Sequence, residues 1–400
     1  MIKKIGILAA TVSLLLVSLF PVPVQAQSGI IVSDSSAQAS YPLRLSFNIS
    51  AQSQTNITDI RLHYRIDRDG FAEVVSEAYL DFAPDTAVKV QWSLDMRRIG
   101  GLPPESVVDY WWTLTDASGD TVQTTSQGVV FDDTRFSWQS LTEGMVTIRW
   151  YRGDLSFARE LMTTAQAALV RLAEDTGAYL KKPVKIYIYA TYNDLQSAMI
   201  FPQEWTGGVA YTEYGIIAMG IAPDNLAWGK TSTVHELTHL VVHQMTFNPY
   251  NSLPTWLSEG LAMYNEGLLD PTSAGLLQQA ATGNSLISVR TLASPFSSDT
   301  DQALLSYAQS YSLVEYLVTT YGQSRMLELM AAFSQGSTYD GALENVYGFD
   351  MDGLNILWQE YIIGKFKGVG NTAWNNDLAP AGLADWLLGG LLFEPALTRS

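Results

Sequence analysis

Apolar residues recur at every second position in the first third of this chain and at every third or fourth position in its second half. No single sheet or helical bundle accommodates both periods, so the chain must build a β layer and a helical body in succession. The period-2 stretches are Leu43-Arg44-Leu45-Ser46-Phe47-Asn48-Ile49, Ile60-Arg61-Leu62-His63-Tyr64-Arg65-Ile66 and Val88-Lys89-Val90-Gln91-Trp92-Ser93-Leu94, followed by runs from Val107 to Thr115 and from Thr121 to Phe131. Polar turns, Asp67-Arg68-Asp69-Gly70 and Asp116-Ala117-Ser118-Gly119, separate them.

Short strands with turns between them and no helical period predict an antiparallel β-sandwich of immunoglobulin-like type ending near Asp133. The Ser-, Gln-, Ala- and Asn-rich stretch over 27–57, apart from its strand at 43–49, reads as a flexible lead. From Phe136 the pattern changes. A strand at Val146 to Trp150 precedes an amphipathic helix with apolar residues at Leu155, Ala158, Leu161, Met162, Ala165, Leu169 and Leu172, ended near Thr176-Gly177. A strand at Val184 to Ala190, a short helix near Asp194 to Ile200, and a hairpin from Gly207 to Met219 through Thr212-Glu213-Tyr214 come next. Helices are then predicted over 232–246, 254–266, 302–321, 324–334 and 350–363. The expected fold class is α+β: an N-terminal β-sandwich at 27–135, then a domain of small sheet plus helical bundle at 136–370, with a tail at 371–400.

Residues 1–26 have the layout of a secretory signal peptide. Lys3 and Lys4 precede an apolar run from Ile5 to Phe20, and Pro21-Val22-Pro23 leads to the small-residue site Val24-Gln25-Ala26. A secreted or periplasmic protein is therefore expected, stabilised without disulfides because the chain has no Cys. No later run reaches the roughly 18 apolar residues of a membrane span; Trp386 to Phe393 is far too short, so no stable membrane insertion is expected once the leader is cleaved. A formal net charge of −17 repels nucleic-acid phosphates and anionic membrane surfaces, which removes both from the expected partners.

The chemistry lies at the start of the helical half. Thr233-Val234-His235-Glu236-Leu237-Thr238-His239 contains H-E-x-x-H within a helical run. Histidines four apart point to nearly the same side of a helix and meet one ion, while Glu236, one step round, reaches water bound to that ion without ligating it. This suits Zn²⁺, which in hydrolases takes three protein ligands and keeps one position for water. The second predicted helix, opened by Pro254 and closed at Gly267, folds back to offer Glu259, 20 positions after His239, completing a His₂Glu set.

His235-Glu236-Leu237-Thr238-His239 followed by Trp256-Leu257-Ser258-Glu259-Gly260-Leu261-Ala262-Met263-Tyr264 resembles the gluzincin metallopeptidases, the clan of thermolysin and aminopeptidase N, and most of all the secreted peptidase MA-like group. The resemblance implies His235, His239 and Glu259 as zinc ligands, Glu236 as general base, a peptide or protein substrate, and a Tyr or His from a later helix as oxyanion donor. Tyr311 is the first choice for that donor and Tyr307 the second. A binding protein with a non-catalytic zinc site and a zinc hydrolase of a non-peptide bond are the alternative functions.

The other polar candidates read more plainly. His243 lies about 12 Å along the helix from His235 and reads as packing. Glu266 shares a face with Glu259 and reads as a solvated carboxylate, with orientation of a histidine N–H as its alternative. His63 reads as a strand-face histidine, Asp67-Arg68-Asp69-Gly70 as a tight turn, and Asp350-Met351-Asp352-Gly353 as a helix cap. Gly207-Gly208-Val209-Ala210-Tyr211 carries no acid to hold a substrate's free ammonium, with Glu213 left in the turn, and this predicts an endopeptidase whose substrate pairs with the strand.

Overall fold

The computed structural model describes residues 29–70, 72–202 and 207–367; the proposed leader at 1–26 and the tail at 371–400 lie outside them. The chain is α+β, with an N-terminal sheet followed by a smaller sheet and a helical body. The first sheet has seven strands: β1 (Ile31–Ser40), β2 (Arg44–Ile66), β3 (Ser76–Tyr79), β4 (Asp85–Asp95), β5 (Ser106–Asp116), β6 (Thr121–Gln123) and β7 (Gln127–Phe131). β2 organises it. The first half of β2 lies between β1 and β4, with Phe47 opposite Ala37 and Trp92, and the second half lies between β3 and β5, with Leu62 opposite Ala78 and Trp112. The register shifts between Gln52 and Ile57, where β2 changes partners. Both halves feed one core in which the Phe47 ring meets Tyr110 edge-on at 5.0 Å, with Leu45, Ile49, Ile60, Leu62 and Trp112 fully enclosed.

Two expectations change here. Outside the strand expected at 43–49, the stretch read as a flexible lead is β1 and the middle of β2; strand pairing satisfies the backbone whatever the side chains, so a polar, half-exposed ladder carries no apolar period. The run from Thr121 to Phe131 is two strands on the same partner, with Thr124 stepping aside so that its hydroxyl accepts from the Trp112 amide at 2.9 Å.

The second sheet comprises β8 (Gln139–Glu143), β9 (Val146–Trp150), β10 (Val184–Tyr189), β11 (Gly208–Tyr211) and β12 (Ile216–Gly220), in the order β11-β12-β10-β9-β8. β10 runs parallel to β9 and β12, while β8 and β11 are antiparallel edges. Alternation sorts the two faces. Ile186, Ile188, Ile217 and Met219 enter the helical core, whereas Tyr187, Tyr189, Ile216 and Ala218 join an aromatic layer with Phe136, Trp138 and Tyr151.

The N-terminal domain covers that aromatic face. Tyr41 Oη donates to the Ala198 carbonyl at 3.0 Å, Tyr189 Oη donates to buried Asp133 at 2.9 Å, and Glu105 receives Arg149 at 2.6 Å and Lys185 at 3.0 Å.

On the opposite face lie α1 (Leu155–Thr176), α3 (Leu226–Thr246), α4 (Thr255–Glu266), α7 (Thr300–Tyr321), α8 (Gln323–Ser334) and α10 (Met351–Lys367). Shorter helices are α2 (Tyr192–Gln196), α5 (Pro271–Thr282), α6 (Val289–Leu292) and α9 (Tyr339–Tyr347). α1 begins where Asp154 accepts from the Phe157 amide at 3.0 Å and ends at left-handed Gly177, φ 77°. α3 is buried on every side from Ser232 to Val242, which marks it as a central helix between the sheet and the helices beyond it. α4 and α7 cross closely because Gly260 has no side chain: a Cβ there would lie 2.4 Å from the Ser310 carbonyl oxygen. No helix among the described residues is long and apolar enough to cross a membrane.

Gly260→Ala is expected to cost about 1–3 kcal/mol by overpacking, read as a lower thermal midpoint. Gly275→Ala, on α5 with nothing within 4 Å of the added carbon, should leave the midpoint unchanged or raise it.

Candidate metal centre

The central burial of α3 decides the character of the site. One turn apart on that helix, the His235 and His239 rings lie 4.8 Å apart at 75°. α4 folds back so that Glu259 Oε2 is 3.3 Å from His235 Nε2 and 3.6 Å from His239 Nε2. One ligand atom from each of the three residues falls within 4.8 Å of the others, and all three side chains are buried.

Each imidazole is fixed from behind. His235 Nδ1 lies 2.6 Å from Glu266 Oε1 and His239 Nδ1 lies 3.1 Å from Ser258 Oγ, so with Nδ1–H donating in both cases the two Nε2 atoms are left facing Glu259. Asn265 Nδ2 donates to Thr238 Oγ1 at 2.8 Å and ties α4 to α3 beside them. Glu266 is therefore the orienting acceptor rather than a solvated carboxylate, since the end of α4 is turned inward against α3. Its position seven residues after Glu259, two turns along the same face, was the signal for that role.

The electrostatics follow from this burial. Desolvation disfavours the charged form of Glu259, yet His239 and His235 outweigh it and hold the carboxyl at about 2. Desolvation likewise opposes protonation of His235, but Glu259 and Glu266 push it well above the usual imidazole range; His239 is also raised, chiefly by Glu259. Burial raises Glu266 against the pull of His235. Two imidazole Nε2 atoms and a carboxylate oxygen converging in a buried place, each ring hydrogen-bonded on its far side, form the donor set of a catalytic zinc centre, and the residues fit that ion, whose binding would displace the proton that the carboxylates favour on the rings.

Glu236 stands beside this set, buried and outside the three-residue cluster. β11 passes against it: a Cβ on Gly208 would lie 3.2 Å from Glu236 Oε1 and 3.4 Å from its Cγ. Glycine lets the edge strand approach the carboxylate this closely.

The two tyrosine candidates separate. Tyr307 is buried, edge-on to Phe296 at 5.1 Å, and its phenol is kept protonated by burial and by the nearby charges of Glu259, Glu236 and Glu266. Tyr311, the first choice from sequence, is held protonated by burial and by Glu315 and Tyr264 against the pull of Arg171, with its ring 5.9 Å from that of Tyr264. One helical turn and about 40° of rotation account for the difference. The charges of Glu259, Glu236 and Glu266 thus bear on Tyr307, and that of Glu315 on Tyr311.

The remaining candidates lie elsewhere. The His243 ring packs 4.8 Å from Phe247, and burial pushes its pKa down. His63 stacks on Trp111 at 5.5 Å. Asp350 accepts from the Gly353 amide at 2.8 Å and caps α10, while Asp352 pairs with Arg290. Glu213, in the turn between β11 and β12, is engaged by Arg68 at 2.9 Å.

A helical H-E-x-x-H pair joined by a carboxylate from the following helix defines a gluzincin-type centre. Residues 164–364 match the sequence profile of the Peptidase MA superfamily, and the chain belongs to that superfamily. Family and cluster together support a zinc metallopeptidase.

Among solved structures, the chain is similar to an M1 zinc metallopeptidase from Deinococcus radiodurans, at 13% identity over 89% of this chain and 97% of that one, TM-score 0.35. It is also similar to a catalytically inactive OgpA from Akkermansia muciniphila crystallised with an O-glycopeptide, at 11% identity and TM-score 0.21; the match covers 27% of this chain and only 30% of that one. A third likeness is to a carbohydrate-binding module family 56 β-1,3-glucan binding domain, at 14% identity over 24% of this chain and 95% of that one, TM-score 0.16. No protein of curated function matches the chain.

Glu266→Ala should weaken zinc binding about 10–100-fold, measured by competition with a chromogenic chelator, because the His235 ring loses its orienting acceptor. An unchanged affinity would show that the contact does not orient the ring.

Proposed function

We propose that this protein is a secreted zinc-dependent endopeptidase. It would combine an immunoglobulin-like β-sandwich at 27–135 with a peptidase domain at 136–370, exported by the leader at 1–26. The observation that carries the reading is the convergence of His235, His239 and Glu259 on one point, with Glu236 beside that cluster and set against the edge strand.

In this reading His235, His239 and Glu259 hold zinc. Bound there, zinc would supply Lewis acidity toward the scissile carbonyl and a water acidified to a pKa of about 7. Glu236 takes the proton from the attacking water and delivers it to the departing amine. Its burial beside Gly208 keeps the carboxylate aimed at substrate lying along β11. Tyr307 donates its phenolic hydrogen to the developing oxyanion, a task it can perform because burial and the surrounding carboxylates keep that hydrogen in place.

An extended peptide would add to the outer edge of β11, since among the described residues that strand pairs with β12 alone. The endopeptidase assignment rests on charge. β11 carries no acid, and Glu213 is held by Arg68, so no carboxylate from this hairpin is offered to a free amino terminus.

Glu236→Gln should retain stoichiometric zinc while peptide hydrolysis falls at least about 10²–10⁴-fold. Tyr307→Phe should lower kcat about 10²–10³-fold with zinc retained, and Tyr311→Phe should change it little. If Glu236→Gln cleaves at the parent rate, the mechanism is wrong.

Internally quenched peptides blocked at both ends should be cut at least as well as aminoacyl amides with free amino termini. Rapid release of single residues from unblocked substrates, with blocked ones untouched, would reverse the assignment to an aminopeptidase.

A further inference from the structure

Strand β11 meets α3 at one end, where Gly208 packs on Glu236. Its other end is not free. The turn Thr212–Tyr214 that follows is held by the N-terminal domain: the Asp69 amide donates to the Glu213 carbonyl at 2.7 Å, and the Arg68 guanidinium donates to the Glu213 carboxylate at 2.9 Å. Tyr214 packs against the N-terminal core itself. The same turn is tied back to α3. Asp69 pairs with Lys182, and the amides of Lys181 and Lys182 donate to Gln244 Oε1 at 2.8 and 2.9 Å. Gln244 stands eight residues beyond Glu236 on α3, about 12 Å along its axis, and β11 with its turn spans a similar length at roughly 3.3 Å per residue. The hairpin is therefore pinned to the metal-binding helix at both ends, and at the far end the pin is a turn of another domain.

We infer that the Asp67-Arg68-Asp69-Gly70 turn positions the substrate-binding edge strand, and that Arg68 is a positioning residue for extended peptide substrates. The inference rests on the reading that β11 receives the peptide backbone. A hairpin held only at Gly208 could tilt about that contact. The Glu236 end would stay in place while the far end lost its alignment with substrate residues distant from the cleaved bond. Loosening the pin therefore weakens binding of long peptides and spares the chemistry on short ones. Arg68 and Glu213 are 44% and 35% exposed, so their pairing alone is modest, whereas a like charge at position 68 pushes the turn away.

The experiment compares a long internally quenched peptide with a short doubly blocked dipeptide on the full-length zinc enzyme and on Arg68→Ala, Arg68→Glu and the Arg68→Glu/Glu213→Arg swap. Arg68→Ala should raise KM for the long peptide about two- to fivefold and Arg68→Glu about tenfold. For both variants kcat, zinc content and kcat/KM for the dipeptide should be unchanged, and the swap should restore the parental KM. An unchanged KM in Arg68→Glu, or a swap that restores nothing, overturns the inference while the parent continues to cleave. Parallel loss on both substrates together with zinc marks Arg68 as merely structural and also overturns it. A parent enzyme that cleaves neither substrate refutes the peptidase reading, and this inference with it.

Discussion

Two imidazoles and three carboxylates buried side by side can persist only if every charge finds a partner, and the rest of the structure is arranged to satisfy that condition. His235, Glu236 and His239 lie on a stretch of α3 that is enclosed on all sides, and Glu259 and Glu266 arrive from the helix packed against it. Glu266 and Ser258 take the outward nitrogens, leaving the inward ones to Glu259. Each supporting contact needs α3 and α4 in close register. The Asn265–Thr238 hydrogen bond fixes that register directly, and the Gly260 crossing and Tyr307 hold α7 against the far side of α4.

The small sheet performs the complementary task. Its aliphatic face seats the helices, its aromatic face seats the N-terminal domain, and its β11 edge delivers Gly208 to Glu236. Ionic and hydrogen-bonded contacts at Glu105, Asp133, Asp69 and Glu213 join the N-terminal domain to this sheet and to the β11 turn. The N-terminal domain contributes no residue to the buried cluster, yet it bears on the strand that runs beside it.

Much of this was legible in the sequence because the signals were local. Histidines four apart on a helix, a carboxylate on the next helix, and strict alternation in β10 each follow from a single period. Local signals failed where a neighbour decided the outcome. β1 and the middle of β2 carry Ser, Gln and Thr whose strand character comes from the ladder on either side. Glu266 appeared free until the end of α4 turned inward, and sequence ranked Tyr311 ahead of Tyr307 because the carboxylates around each tyrosine depend on how α7 is turned. α5, α6 and α9, each of twelve residues or fewer, went unread. The capture of Glu213 by Arg68, 145 positions away in sequence, had no local signature.

The central claim is that the buried cluster is a zinc centre built from His235, His239 and Glu259. Zinc K-edge X-ray absorption on the purified protein tests it most directly. The account predicts one zinc per chain in a shell of nitrogen and oxygen at about 2.0–2.2 Å with outer-shell scattering from two imidazoles. Substoichiometric zinc, or an all-oxygen shell without imidazole scattering, would contradict it.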